Sequence, residues 1–535
     1  MQFEPAHKNI PDTPTRSRSP KLPSHSISST SINAIGDSLS TWSPDSWREK
    51  EVHHQIVQYE EKDAPVLESV LGKLGRLPPL VTDGEVWKLR QQLAEVAQGQ
   101  RFLLQGGDCA EIFDYCEKTQ IESKLKVLLQ MSLIIIWGGR TAITRIARMA
   151  GQYAKPRSSP NETINGNTFP SFRGDNVNGI GLDQRTPNPS RLLDAYFHSA
   201  ATMNYVRGLL GSGFADLHHP DAWNLDQWKF KHVQNPAIKE DYQRVVNRLE
   251  DALDFMRVIG ADRDSTSAST NPALANDASF SPTQTVDFFI SHEGLLLPYE
   301  TTLTRSLPSS SPLAAQHTHY NASTHFLWLG DRTRNLSGAH VEYFRGIANP
   351  IGVKISSTMK PEELVELLNV LDPFNEVGKV TLISRYGCKK VGQFLPGHIQ
   401  AVKGTAHKVV WCCDPMHGNT VTTAQGVKTR RFEDIVEELM TTFQIHASNG
   451  SRLNGVHFEL TGDAVTETVG GSMELTEEDL ARNYTSFCDP RLNYEQSLDI
   501  AFLIAKYYEG ISKKRKLDGG ELGNGRGDGQ RNVRT

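Results

Sequence analysis

Short apolar runs recur along this chain at Phe102–Leu104, Val286–Ile290, Phe326–Leu329, Val353–Ile355, Val380–Ile383, Val409–Cys412 and Val456–Leu460. Each is too short for a helix core, and almost every one runs into charged or metal-competent residues. Helical stretches lie between them. Glu85–Gln98 has helical spacing and reads as an N-terminal accessory helix. Ile121–Met149 reads as a second long helical region, broken at Gly138-Gly139. Gly151–Gly181 is rich in Gly, Pro, Asn and Arg and reads as a long loop, of the kind that is usually functional or disordered. Repeated strand-then-helix units imply a parallel sheet. Seven or more units over about 400 residues favour a (β/α)8 barrel over a doubly wound sheet. No Gly-x-Gly-x-x-Gly or Walker phosphate loop follows any strand, which lowers the dinucleotide and NTP readings.

Composition bounds the organisation. Residues 1–45 are rich in Ser, Pro and Thr and read as a disordered tail. Residues 46–511 read as one barrel domain with accessory helices and a flexible Ser-rich insertion at 263–285. Residues 512–535 read as a disordered basic tail, in which Lys513–Lys516 is a solvated charge cluster rather than an address. The formal net charge of −5 gives no general pull toward nucleic acid or an anionic membrane. No run is long enough to span a bilayer and no signal peptide is visible, which points to the cytoplasm; the acid-poor N-terminal tail leaves organelle targeting open. The six cysteines form no Cys-x-x-Cys pair and are expected to stay reduced.

Two constellations stand at the strand ends. Cys109, His417, Glu459 and Asp489 together offer one sulfur, one imidazole and two carboxylates, a donor set that suits a borderline divalent ion. Taken singly, each has an ordinary reading: a lone Cys is a small core hydrophobe, and an Asp before Pro is a turn or cap. The second constellation is cationic: Arg148, Lys155, Arg157, Arg332, Arg334, Lys354, Arg385 and Arg430. Lys354 and Arg385 are flanked by apolar β-formers. A buried cation is costly unless paired, so these two favour an anionic ligand with more than one charged group. Arg334 and Arg430 read as partners of structural carboxylates. Trp328 reads as barrel wall near the site. His325, His340 and His457 read as structural; the Ser291-His292-Glu293 fragment, with no nucleophile elbow to accompany it, reads as structural or as a support just behind a site.

Seven blocks carry a family resemblance. They are Leu-Leu-Gln-Gly-Gly-Asp-Cys-Ala-Glu, Ala-Gly-Gln-Tyr-Ala-Lys-Pro-Arg-Ser, Arg-Gly-Asp-Asn-Val-Asn-Gly, Ser-His-Glu-Gly-Leu-Leu-Leu-Pro-Tyr-Glu, Gly-Asp-Arg-Thr-Arg, Cys-Asp-Pro-Met-His-Gly-Asn-Thr and Cys-Asp-Pro-Arg-Leu-Asn. In order, over about residues 50–510, they resemble class II (plant-type) 3-deoxy-D-arabino-heptulosonate 7-phosphate synthase. The resemblance implies a (β/α)8 barrel with an N-terminal extension and a homodimer or larger assembly. It implies condensation of phosphoenolpyruvate with erythrose 4-phosphate, with release of phosphate, as the first step of the shikimate pathway to aromatic amino acids. Carried over by motif, it implies metal ligation by Cys109, His417, Glu459 and Asp489, with manganese foremost and cobalt, iron or zinc as alternatives. It places phosphoenolpyruvate on Arg148, Asp331, Arg332, Lys354 and Arg385, and the aldose phosphate on Lys155, Arg157 and Ser158. Lys354 is the candidate to handle protons, with a metal-bound water the alternative.

The chain departs from the family pattern in two places. Asp331 stands where Glu is common, and Gly294 stands where Cys is common. A paralogue that takes another aldose phosphate and a catalytically silent regulatory subunit are the rival readings. The two glycines before Cys109 are expected to leave room for bound substrate.

Overall fold

The computed structural model describes residues 42–164, 166–215, 233–258 and 286–521. The insertion at 263–285, residues 1–41 of the N-terminal tail and residues 522–535 lie outside them. From Ser43 onward the chain forms one compact unit. Among the described residues no helix is long and apolar enough to cross a membrane.

Eight parallel strands close a barrel: β1 (Arg101–Gly107), β2 (Ala142–Arg148), β3 (Phe289–Glu293), β4 (Phe326–Leu329), β5 (Ile351–Ile355), β6 (Val380–Ser384), β7 (Val410–Cys413) and β8 (Gly455–Glu459). Each strand pairs with its neighbours in the sequence of strands, and β8 closes on β1 with Gly107 opposite Glu459. The helices are α1 (Ala64–Leu74), α2 (Asp83–Ala97), α3 (Lys118–Gly139), α4 (Arg191–Gly211), α5 (Pro236–Val258), α6 (Leu297–Thr302), α7 (Ala339–Phe344), α8 (Pro361–Leu371), α9 (Val391–Lys403), α10 (Phe432–Ser448) and α11 (Tyr494–Glu521). This is the (β/α)8 architecture that the alternating runs predict.

Three elements differ from the sequence reading. The segment Gly151–Gly181, expected as a loop, carries an antiparallel hairpin of Asn161–Ile164 with Asn167–Pro170. The helical region expected over Ile121–Met149 is helix only to Gly139. Arg140 turns left-handed, at φ 48°, and its N–H caps the Ile136 carbonyl at 2.8 Å. The following Ala-Ile-Thr-Arg-Ile-Ala-Arg is strand β2, whose β-branched Ile143, Thr144 and Ile146 suit a pleated position. The final helix α11 continues to Glu521, past Ile511 where the folded chain was expected to end. Tyr494 at its start donates to Gln130 on α3 at 2.8 Å, and Tyr508 meets Phe102 of β1 edge-on at 5.7 Å.

The accessory helix α2 is capped by Thr82, whose hydroxyl accepts from the Glu85 N–H while the Glu85 carboxylate accepts from Thr82 N–H. Its apolar stripe of Leu89, Leu93 and Val96 packs with Leu103, Ile146, Phe289, Phe326 and Val410, so it plugs the N-terminal mouth of the barrel. Chemistry is thereby confined to the opposite end.

A polar latch fixes the plug. Arg90 on α2 pairs with Glu376, which also accepts from His317 Nε2 at 2.9 Å. Burial holds His317 down at about 4. Burial pushes Glu376 the other way, but the His317 hydrogen bond and Arg90 outweigh it and hold the carboxyl at about 2. Both groups bind fewer protons folded than unfolded, so stability falls as the pH drops through their windows. For His317 the loss runs from pH about 6.5 to about 4 and reaches at most about 3 kcal/mol. In urea unfolding, the stability difference between wild type and His317→Gln is expected to shrink as pH falls through that window. A pH-independent difference would refute this assignment.

Candidate active site

All eight strands deliver residues to one end of the barrel. Cys109 follows β1, Arg148 ends β2, Glu293 ends β3, and Asp331 and Arg332 follow β4. Lys354 lies within β5, Arg385 follows β6, His417 follows β7, and Glu459 ends β8. These side chains surround a cavity of about 450 Å³. Every site residue named from the sequence lines it except Glu459, which is fully buried just behind the wall. Lys155, Arg157 and Ser158 reach it from the loop after β2, and Asp489 from the loop after β8.

One corner is a donor cluster. The ligand atoms of Cys109, Glu459 and Asp489 lie within 4.8 Å of one another. His417 falls outside that set of three but adjoins it, with Nε2 2.9 Å from Glu459 Oε1. Lys155 Nζ sits 2.8 Å from both Cys109 Sγ and Asp489 Oδ2, an ammonium drawn into a site that calls for positive charge. Arg430 pairs with the far oxygen of Glu459 at 2.8 Å. It serves a carboxylate, as the sequence suggests, but that carboxylate belongs to the site. Burial would raise the Glu459 carboxyl, yet His417, Arg430 and Arg148 hold it well below the usual range. Lys155 holds Asp489 low in the same way. Burial pushes the Cys109 thiol up, with Cys488 and Glu459 adding and Lys155 opposing.

The adjoining wall is cationic, and Arg148 joins it to the donor cluster through Glu459 at 3.2 Å. Arg148 donates to the Asp108 and Cys109 carbonyls at 2.9 Å each and meets His457 Nε2 at 2.7 Å. Its guanidinium and the Lys354 ammonium lie over the Trp328 ring, at 5.2 and 6.0 Å from the centroid. Burial lowers the Lys354 ammonium, with Asp414 opposing. Asp331 accepts from Arg334 at 3.0 Å and pairs with Arg385 at 3.3 Å. At the rim Arg332 donates to Ser158 Oγ at 2.8 Å, and Arg157 pairs with Glu162 at 2.8 Å. The lining carries Arg148, Lys155, Arg157, Arg332, Lys354, Arg385 and Lys428 against Glu162, Glu293, Asp331 and Asp489. The excess is positive, as suits a ligand with several negative charges.

The structure also corrects two readings of single residues. Glu293, read as structural or as a support behind a site, lines the cavity itself, and burial pushes its carboxyl up. Gly107 does not make room for substrate. At φ 142° a side chain there would meet the Arg148 carbonyl at 2.5 Å, so the glycine allows β1 and β2 to approach. Three supports went unread in the sequence. Glu111 accepts from the N–H groups of Ala150, Gly151 and Gln152 and anchors the loop that carries Lys155. Asp414 touches both His417 and Lys354. Lys428 reaches Asp489 at 3.4 Å. Only Asp414 had a usable signal, an acid three residues before a candidate ligand.

A parallel barrel with a donor cluster beside a cationic wall defines a metal-capable, anion-binding enzyme site. A model of the class-II DAHP synthetase family matches residues 42–505. The chain is 52% identical over 487 residues to a phospho-2-dehydro-3-deoxyheptonate aldolase of Neurospora crassa, covering 89% of this chain and 96% of that one. It is 43% identical over 453 residues to the protein of that name from Streptomyces coelicolor, covering 84% and 94%. A Mycolicibacterium smegmatis relative of the same name is 41% identical over 454 residues, covering 84% and 92%. The chain belongs to the class-II DAHP synthetase family.

Behind the wall, Glu438 on α10 braces two of the loops. Its Oε1 accepts from Tyr386 N–H at 3.0 Å and Gly387 N–H at 2.9 Å, just past Arg385. Its Oε2 accepts from Asn419 at 2.7 Å, just past His417. Glu438→Ala strands at least two buried N–H groups and is expected to cost about 2–6 kcal/mol, read by urea unfolding. Glu438→Gln keeps the acceptor for both backbone groups and is expected to cost less; equal losses would show that these bonds do not brace the loops.

Proposed function

We propose that this enzyme condenses phosphoenolpyruvate with erythrose 4-phosphate and water to give 3-deoxy-D-arabino-heptulosonate 7-phosphate and phosphate, the entry to the shikimate pathway and aromatic amino acids. The observation that carries the reading is the meeting of the Cys109–His417–Glu459–Asp489 cluster and the Arg148–Lys354–Arg385 wall in one cavity.

Arg148, Lys354, Arg385 and Arg332 hold the carboxylate and phosphate of phosphoenolpyruvate. Asp331 keeps Arg385 in place through its 3.3 Å pair. Lys155, Arg157 and Ser158 meet the phosphate of the aldose at the mouth. Two anions that repel in water are thus held with C3 of one against the aldehyde carbon of the other. A new C–C bond forms there, water adds at C2, and phosphate leaves with its bridging oxygen. The water that adds at C2 gives up two protons: one ends on the former aldehyde oxygen by way of Lys354, which is buried in the cavity lining, and the other leaves with phosphate.

The donor set fits a borderline divalent ion. It is mixed in sulfur, nitrogen and oxygen, with Cys109 and Glu459 buried and His417 and Asp489 half-buried, and it already draws in the Lys155 ammonium. Cys109, His417, Glu459 and Asp489 would hold the ion, manganese foremost, and it would supply Lewis-acid polarisation of the aldehyde.

Cys109→Ala is expected to lower turnover by at least about 100-fold and to abolish the sulfur-to-metal absorption band that Co2+ gives with the wild-type chain. Phosphate release from phosphoenolpyruvate, followed with a panel of aldose phosphates, tests the substrate. Turnover with another aldose and none with erythrose 4-phosphate would overturn the assignment. Undiminished turnover in Cys109→Ala would remove the ligand role.

A further inference from the structure

Asp414 follows β7 and is fully buried. Its Oδ1 accepts from the N–H groups of Met416 at 3.0 Å and His417 at 3.2 Å, which fixes the plane of the carboxylate against the turn. Its Oδ2 meets His417 Nδ1 at 2.8 Å and also takes the Lys354 ammonium. One oxygen therefore serves the donor cluster and the cationic wall at once.

We propose that Asp414 is a positioning residue that aims His417 at the metal corner and Lys354 at the phosphoenolpyruvate side, so that both functions fail together when it is changed. The inference rests on the reading under Proposed function. With Nδ1–H donated to Asp414, His417 is left with Nε2 as its metal-facing nitrogen, and Nε2 already points at Glu459 Oε1, 2.9 Å away. Lys354 lies inside a strand of apolar neighbours, and its placement depends on a fixed counter-charge. A carboxylate meets both demands because it only accepts. The isosteric amide does not. With the Asn carbonyl on the turn N–H groups, its NH2 faces two donors. His417 can then bond it only by accepting at Nδ1, which moves the ring proton to Nε2 and blocks the metal-facing position.

The test uses the full chain as wild type, Asp414→Asn and Asp414→Glu. Co2+ affinity is read from the absorption band of the cobalt-loaded protein, and thermal melts report the folded fraction. Steady-state kinetics with phosphoenolpyruvate are run at Co2+ saturating for each variant. In folded Asp414→Asn, Co2+ affinity is expected to fall 10–100-fold, the range typical of partners that orient a metal ligand. At saturating Co2+, kcat/KM for phosphoenolpyruvate is expected to stay at least about 10-fold below wild type, because Lys354 is still misplaced. A residue that merely holds the fold would lower Tm and leave the affinity of the folded fraction untouched. Loss of one property without the other overturns the inference, as does wild-type behaviour in both. If Asp414→Asn does not fold, Asp414→Glu carries the test, with both losses expected and smaller. Absence of Co2+ uptake by the wild-type chain overturns the metal reading and this one together; normal uptake with unaltered variants overturns this one alone.

Discussion

Asp108 lies fully buried between the Lys124 ammonium and Arg491 Nη1, the latter at 2.7 Å. Arg491 also grips Glu467 through Nε at 3.0 Å and Nη2 at 2.8 Å. A charge in such a place is tolerable only with partners, and removing one member of a buried pair costs about 3–5 kcal/mol. The tie reaches far along the chain. Asp108 precedes Cys109 and Arg491 lies two residues past Asp489, so the network draws together two donors 380 residues apart. Proximity of the candidate ligands follows from the pairing of charges beneath them.

The same constraint divides the barrel. At its N-terminal mouth the plug of Leu89, Leu93 and Val96 removes apolar surface from water, and its few charges are paired at the edge. At the other mouth four of the lining cations are steadied by carboxylates at or just behind the cavity: Arg148 by Glu459, Lys155 by Asp489, Arg385 by Asp331 and Lys354 by Asp414. These pairs preorganise the cavity. Charges already oriented need little reorganisation when a substrate anion arrives, and orientation of this kind is what positioned dipoles and ions contribute to a transition state.

The barrel was legible because its strands are fully buried and read as continuous apolar runs. Strand β2 was not: the glycine pair marks the break, but no further glycine or proline separates Ala-Ile-Thr-Arg-Ile-Ala-Arg from the helix before it, and its two arginines interrupt the apolar run that marks the other strands. Every candidate site residue falls at the one cavity or directly behind it. Residues that carry chemistry sit at strand ends and announce themselves by type. Residues that aim them, such as Asp414, Glu111 and Glu438, are ordinary acids whose partners are set by the fold. Glu293 was passed over for a related reason: its neighbours Ser291 and His292 suggested a hydrolytic fragment, and only the register of β3 shows which of the three faces the cavity.

The two departures from the family pattern follow from packing. A side chain on Gly294 would meet the Phe344 ring at 2.6 Å, so in this chain the phenyl ring occupies the space and a thiol has no room. Asp331 is one methylene shorter than the usual Glu, which would weaken its reach if it worked alone. It does not: Ser356 donates to its Oδ1 at 2.9 Å beside Arg334, which is itself steadied by Glu363 at 3.1 Å, and this leaves Oδ2 free to pair with Arg385. The carboxylate is therefore held by two neighbours on one oxygen and spends the other on Arg385. Arg334, read from the sequence as a purely structural partner, is what lets the shorter acid keep Arg385 in position.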